Sequence, residues 1–209
     1  MQTRSREHTG SSLRSRLRTL VIVGLATIAM TGCSSMKPED FVGTEPQFRL
    51  EEFFEGQTRA WGIFEDRFSN LRRQFTVDID GSWDGETLTL VEDFVYEDGE
   101  EERRIWVIRP DGEGGYTGEA DGVIGTASGV ARGNAVNWQY HFDLEVGTRS
   151  FKVHFNDWMF LQPDGETMIN RAYVTKWGFK VGTASIFFRR IDGEEEQASR
   201  AVGNGTVAQ

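Results

Sequence analysis

One cysteine and three histidines are all that 209 residues hold of the residues that most often carry chemistry. A single thiol rules out a disulfide framework. Only His141 and His154 lie beyond the first 32 residues. Two imidazoles without a placed carboxylate do not make a zinc set, so no metal is expected, and both fall at polar-phase, solvent-facing positions. No serine, histidine and aspartate are arranged for nucleophilic catalysis. The glycine-rich "GEGG", Gly112 to Gly115, separates two strand-like runs rather than a strand from a helix. It is no phosphate cradle, and no cofactor is expected. Positive charge is short as well: 23 Lys and Arg face 33 Asp and Glu, a net charge of −10. That balance repels nucleic acid. A long apolar run is also missing, because the one before Cys33 is shorter than the roughly 20 residues a spanning helix needs.

That run lies in "LVIVGLATIAMTGCSSM", Leu20 to Met36, behind Arg4, Arg6, Arg14, Arg16 and Arg18. A basic segment, a short apolar segment and then small residues have the layout of a secretory signal. Thr31 and Gly32 precede Cys33, which resembles the lipobox of bacterial lipoproteins, with Met30 at the place usual for leucine. A lone thiol would be reactive in an oxidising compartment. A thioether-linked diacylglycerol and an amide-linked chain convert it into a stable membrane anchor. The alternative is a plain secretory signal or a single-pass anchor. Ser34 implies, by the same resemblance, sorting to the outer membrane, facing the periplasm. The expected organisation is a signal peptide over 1–32, the lipidated Cys33 with a flexible tether over 33–47, a folded domain over 48–191, and a disordered acidic and polar tail over 192–209.

Within the folded part, runs rich in β-branched and aromatic residues alternate with Gly, Asp and Asn clusters. Seven are clear: Arg72 to Ile79, Thr87 to Tyr96, Glu102 to Arg109, Asn134 to Leu144, Arg149 to Leu161, Glu166 to Lys176 and Thr183 to Ile191. Two weaker ones run from Tyr116 to Ala120 and Gly122 to Ala131. Asp-Gly between alternating runs is a hairpin signal. Val136, Trp138, Tyr140, Phe142 and Leu144 fall at every second position, a set that no helix gathers onto one face. Sequential strands with short turns predict an all-β antiparallel up-and-down β-barrel, since closure removes exposed edges. A two-sheet β-sandwich is the rival. The only helical candidate, Arg49 to Gly56, reads as a short turn or lid.

Charged residues in phase with apolar ones mark the candidate site. Asp157 shares a face with Phe151, Val153, Phe155, Met159 and Leu161. Arg73 goes with Phe75, Val77 and Ile79, Arg104 with Trp106 and Ile108, and Arg171 with Ile169 and Tyr173. A carboxylate on an apolar face must be paired, protonated or water-linked. The structural reading pairs Asp157 with one of these arginines or turns it outward at a bulge near Asn156. The functional reading makes Arg104, Arg171 and Arg73 head-group partners, with Asp157 orienting an arginine and Trp106 and Trp158 among the indoles lining a cavity. An enzymatic reading would pair Asp157 with Glu92 or Asp93 as acid and base; nothing in their spacing favours it, and the sequence leans away from an enzyme.

The stretches "FFEGQTRAWGIFEDRFSNLRRQF", "YTGEADGVIGTASG", "GNAVNWQYHFDL" and "INRAYVTKWGFKVG" resemble the bacterial lipoprotein family DUF3833, and the likeness runs from Phe53 to Arg189. That resemblance implies a lipocalin-like barrel, tilts the ligand class towards lipid and supplies no activity. The expectation is a membrane-anchored periplasmic lipoprotein whose barrel binds a fatty acid or phospholipid. The alternative is a structural envelope lipoprotein with a filled barrel that acts through a protein partner. The anchor is testable by itself. Labelled palmitate fed to cells is expected on the wild-type chain and absent from Cys33→Ser; wild type without label would contradict the anchor.

Overall fold

The computed structural model describes residues 35–146 and 149–191. The signal peptide, Cys33 and the tail expected over 192–209 lie outside the described residues. Ten strands follow in chain order: β1 (Gly56–Asp66), β2 (Leu71–Trp83), β3 (Leu88–Tyr96), β4 (Glu101–Gly112), β5 (Gly115–Ala120), β6 (Val123–Arg132), β7 (Ala135–Val146), β8 (Arg149–Leu161), β9 (Thr167–Lys176) and β10 (Phe179–Arg190). Each pairs antiparallel with the next, and β1 pairs with β10, so the sheet closes into an up-and-down barrel. Closure decides against the sandwich. The strand that periodicity misses is β1. Its inward positions Thr58, Ala60 and Gly62 are small and leave no apolar alternation to detect.

On β2 the inward residues are Phe75, Val77 and Ile79, while Thr76, Asp78 and Asp80 are exposed. On this strand, apolar inside and polar outside is the reverse of the pattern in a transmembrane barrel. Among the described residues no helix is long and apolar enough to cross a membrane.

One end of the barrel is plugged. The helix α1 (Leu50–Phe54) buries Leu50, Phe53 and Phe54 where β1 begins. It is tied down from two sides. The Tyr116 hydroxyl of β5 donates to the Glu51 carboxylate at 2.8 Å. Arg190 of β10 donates to the carbonyls of Phe53 at 3.1 Å and Glu55 at 3.4 Å, satisfying acceptors at the helix C-terminus. Gly81 of β2 makes room for it, because a Cβ there would lie 1.8 Å from the Phe54 carbonyl oxygen.

The tether expected over 33–47 is not free from Lys37 onward. Pro38–Phe41 form a 3-10 turn. The Phe41 ring packs at 5.7 Å from Trp158 and 5.6 Å from Phe160 on the outside of the barrel. The Thr44 hydroxyl donates to Asn134 Oδ1 at 2.7 Å and accepts the Asn134 N–H at 3.0 Å. The polar, proline-bearing sequence concealed this because one phenylalanine supplies most of the docking. Gly81→Ala is expected to cost about 1–3 kcal/mol through overpacking against α1. Denaturant unfolding checks this, and an unchanged midpoint would contradict the close approach.

Candidate ligand cavity

The inward side chains do not fill the barrel, which encloses a cavity of about 1050 Å³. Leu50 and Phe54 of α1 form its floor. One wall is aromatic. Trp106 meets Trp138 edge-on at 5.6 Å and Tyr140 at 5.3 Å, and Tyr140 stacks parallel on Phe155 at 4.9 Å. The Trp138 indole fits because Gly118 and Gly129 face it; a Cβ at either would fall 2.7 or 2.4 Å from its ring. The opposite end is open, with Arg72, Arg73, Glu100, Glu102, Asp121 and Glu145 around the mouth.

A polar group sits inside this apolar wall. Glu92 on β3 lies directly opposite Arg104 on β4. The Arg104 guanidinium pairs with Glu102 and lies over the rings of Phe94 at 5.1 Å and Phe142 at 4.8 Å. Burial works against its charge, but the Glu92 and Glu102 carboxylates outweigh burial and hold it cationic. Asp157 on β8 is 9% exposed. Its Oδ1 has no hydrogen-bond partner, and neither has Oδ1 of Asn170 on β9. Both residues line the cavity, leaving two buried acceptors for a donor to meet.

Burial pushes Asp157 up to about 8; Arg104 opposes the shift and Glu92 adds to it. Glu92 rises to about 7, again mainly by burial, with Arg104 opposing and Glu102 adding. Glu92 keeps some surface area, but that area faces the cavity, enclosed by the barrel wall rather than open to bulk water. Burial, with Asp157 adding, also holds the Tyr140 hydroxyl well above its ordinary value. At neutral pH the interior therefore offers a fixed cation, its carboxylate partner and carboxyl groups poised near protonation.

The structure separates the residues that sequence phase brought forward. Arg104, Asp157 and Trp106 all line the cavity. Asp157 points inward with unbroken register to β7 and β9, so no bulge turns it out. It makes no ion pair with a described residue. Arg73 stands at the mouth, where it pairs with Glu100 at 2.8 Å and Asp98 at 3.2 Å and lies 3.6 Å from the Tyr96 ring centroid. Arg171 and Trp158 are corrections. Trp158 is adjacent to Asp157 along one strand, so the two face opposite ways, and Trp158 is buried outside the barrel beneath Phe41. On β9 the inner set is Met168, Asn170, Ala172 and Val174, which leaves Arg171 exposed on the outer face with Ile169. Both faces of β9 are apolar, so a period of two cannot choose between them.

Sequence phase had put Glu92 no further than an enzymatic pairing and passed over Asn170. Glu92 shares a face with Leu88, Leu90 and Phe94, the same signal that found Asp157. Asp93 faces outward and pairs with Arg103 at 2.6 Å. His141 and His154 do meet across the β7–β8 pair on the outer face, ring centroids 5.0 Å apart. Among the described residues no group of three or more His, Cys, Asp or Glu could hold a metal ion.

A closed antiparallel barrel, plugged at one end and hollow within, is a lipocalin-like architecture. The chain belongs to the DUF3833 family, described as a protein of unknown function, whose profile matches residues 27–190. No curated protein matches the sequence. Among solved structures, an S-type phycobiliprotein lyase from Guillardia theta is similar, with a TM-score of 0.50 and 12% identity over 70% of this chain and 94% of that one. At that identity the likeness is one of fold.

The raised carboxyl groups make stability depend on pH. Asp157 and Glu92 bind protons more tightly folded than unfolded, where their ordinary values are 3.8 and 4.5. Their stabilising effect is complete below about pH 4 and is lost as pH rises through 7 and 8. The melting temperature should fall between pH 5 and pH 9. Asp157→Asn should flatten that fall and raise the value at pH 9 by at least about 3 °C. A variant tracking wild type across the range would contradict the buried, protonated aspartate.

Proposed function

We propose that the barrel binds one amphiphilic molecule of the fatty-acid class, with its apolar body against the aromatic wall and its carboxyl end at Arg104. The observation that carries this reading is an unfilled interior whose apolar walls converge on one guanidinium. The volume, about 1050 Å³, is just above the roughly 300–1,000 Å³ usual for small-molecule sites. Arg104 donates from one nitrogen to Glu102, which leaves further N–H groups towards the cavity for a carboxylate. Asp157 and Glu92, when protonated, add O–H donors. When ionised they repel a second anion, so they favour a ligand that shares a proton with the site. A phospholipid head group would bring a phosphate that cannot share a proton so readily, and the single-chain acid is the better match. Arg73 would act at the entrance rather than on the buried end. In this reading the barrel hangs from a lipid anchor at Cys33 in the bacterial envelope, at the outer membrane and facing the periplasm. A barrel filled by its own side chains and acting only through a protein partner fits the cavity less well.

The fluorescent fatty acid cis-parinaric acid tests the proposal, since Trp106 and Trp138 lie where energy transfer to it would be efficient. Saturable binding at one molecule per chain is expected. Arg104→Gln should weaken it by roughly tenfold or more, the loss of a hydrogen bond to a charged group. Unsaturable transfer, or equal affinity in the variant, would refute the assignment.

A further inference from the structure

The most exposed large apolar side chains among the described residues are Trp177 at 87%, Phe179 at 76% and Phe68 at 69%. All three stand at the open end of the barrel. Phe68 is in the turn between β1 and β2, where the exposed Leu71 begins β2. Trp177 is in the turn between β9 and β10, and Phe179 begins β10. Because β1 and β10 are paired, with Asp66 opposite Gly182, the two tips are neighbours on the rim.

The backbone works to display this tryptophan. Trp177 has φ 52° and Gly178 has φ 81°. Two successive left-handed residues make a tight hairpin turn that favours Asn-Gly or Gly-Gly, and a bulky aromatic is an outlier there. Strain of this kind accompanies functional surfaces.

Cations accompany the aromatics. Arg67 lies over Phe68 at 4.6 Å, Lys176 over Phe151 at 3.9 Å and Trp177 at 4.7 Å, and Lys180 over Tyr173 at 5.8 Å. None of the three forms an ion pair with a described residue, in a chain of net charge −10. Of the acids on these tips, Asp66 is engaged by Arg72 and Asn70, which leaves Glu65. The next turn along the rim, between β3 and β4, is strongly acidic, with Glu97, Asp98 and Glu100 and with Glu101 opening β4. Arg73 and Gln74 near the start of β2 engage Asp98, Glu100 and Glu97.

We propose that the aromatic and cationic half of the rim is a docking surface for a phospholipid bilayer, with the two hairpin tips in the head-group layer and the acidic turn tipped away. Tryptophan is enriched at membrane interfaces. Lysine and arginine can keep their stems on the aromatics and their charges at the phosphates, and anionic lipid strengthens the contact. A second copy of the chain fits less well, since a two-fold contact sets a patch against itself. Arg67, Lys176 and Lys180 would then meet like charges. The cavity opens on this same rim, lined there by Phe64 and Arg72. Docking would point the mouth at the membrane and spare an apolar ligand passage through water, a consequence that rests on the ligand-binding reading.

The full chain added to vesicles of phosphatidylethanolamine and phosphatidylglycerol, with and without brominated acyl chains, tests the surface. The emission of Trp177, taken as wild type minus Trp177→Phe, should shift to the blue and be quenched about twofold by the brominated lipid if the indole sits at the interface. Lys176→Glu with Lys180→Glu should reduce that quenching. Both changes are at exposed tips, and the pull-down of the chain by lipid anchorage elsewhere does not affect a readout local to residue 177. An unquenched Trp177 in vesicle-bound protein would overturn the proposal. So would a blue shift that follows protein concentration in plain buffer, which marks self-association. Quenched Trp177 without cis-parinaric acid binding would support the docking surface while removing the cavity ligand.

Discussion

Hydrogen bonding between β1 and β10 is the constraint on which everything else here depends. Thr58 through Asp66 pair with Arg190 through Gly182 and turn a ten-strand meander into a closed cylinder. Closure removes both sheet edges, and the strand number sets the width. Eight strands leave an interior that side chains or one small ligand can fill, and ten leave more. The large inward rings are seated against small residues, Phe75 over Gly62 and Trp138 over Gly118 and Gly129. They line the wall without filling the space, and α1 stops one end only. A hollow barrel with a single mouth is the result.

Placing Arg104 inside that barrel sets the electrostatics. A buried guanidinium without compensation would be costly, and the sheet supplies compensation from three strands. Glu102 takes the ion pair, Glu92 stands opposite on β3, and Asp157 approaches from β8. Three full negative charges would overshoot, and burial prevents it by raising Asp157 and Glu92 towards neutrality. The cluster remains close to balance around neutral pH while keeping both donors and unmet acceptors. An apolar wall with a small, adjustable polar end is suited to an amphiphile. The aromatic tips at the mouth extend the same logic outward, from a site for an apolar molecule to a surface for the phase such molecules come from.

Much of this was legible in the sequence, wherever one face of a strand is apolar and the other is not. β2, β4, β7 and β8 alternate strongly, and their phase located Arg73, Arg104, Trp106 and Asp157 correctly. β9 carries apolar residues on both faces, so Arg171 was assigned to the wrong one. Trp158 was misplaced by counting indoles without applying the phase that had already turned Asp157 inward. β1 escaped notice because its inner face is small. The docking of Phe41 on Trp158 and Phe160 depends on a contact more than a hundred residues away in sequence, which no local pattern records. Which carboxylate Arg104 would choose was equally hidden, since Glu92, Glu102 and Asp157 all reach the same interior.

Native mass spectrometry of the protein purified from a bacterial envelope tests the central claim most directly. The account predicts one co-purifying small molecule per chain, extractable into organic solvent and displaced by added fatty acid. A chain that stays at its own mass, before and after incubation with fatty acids, would contradict it.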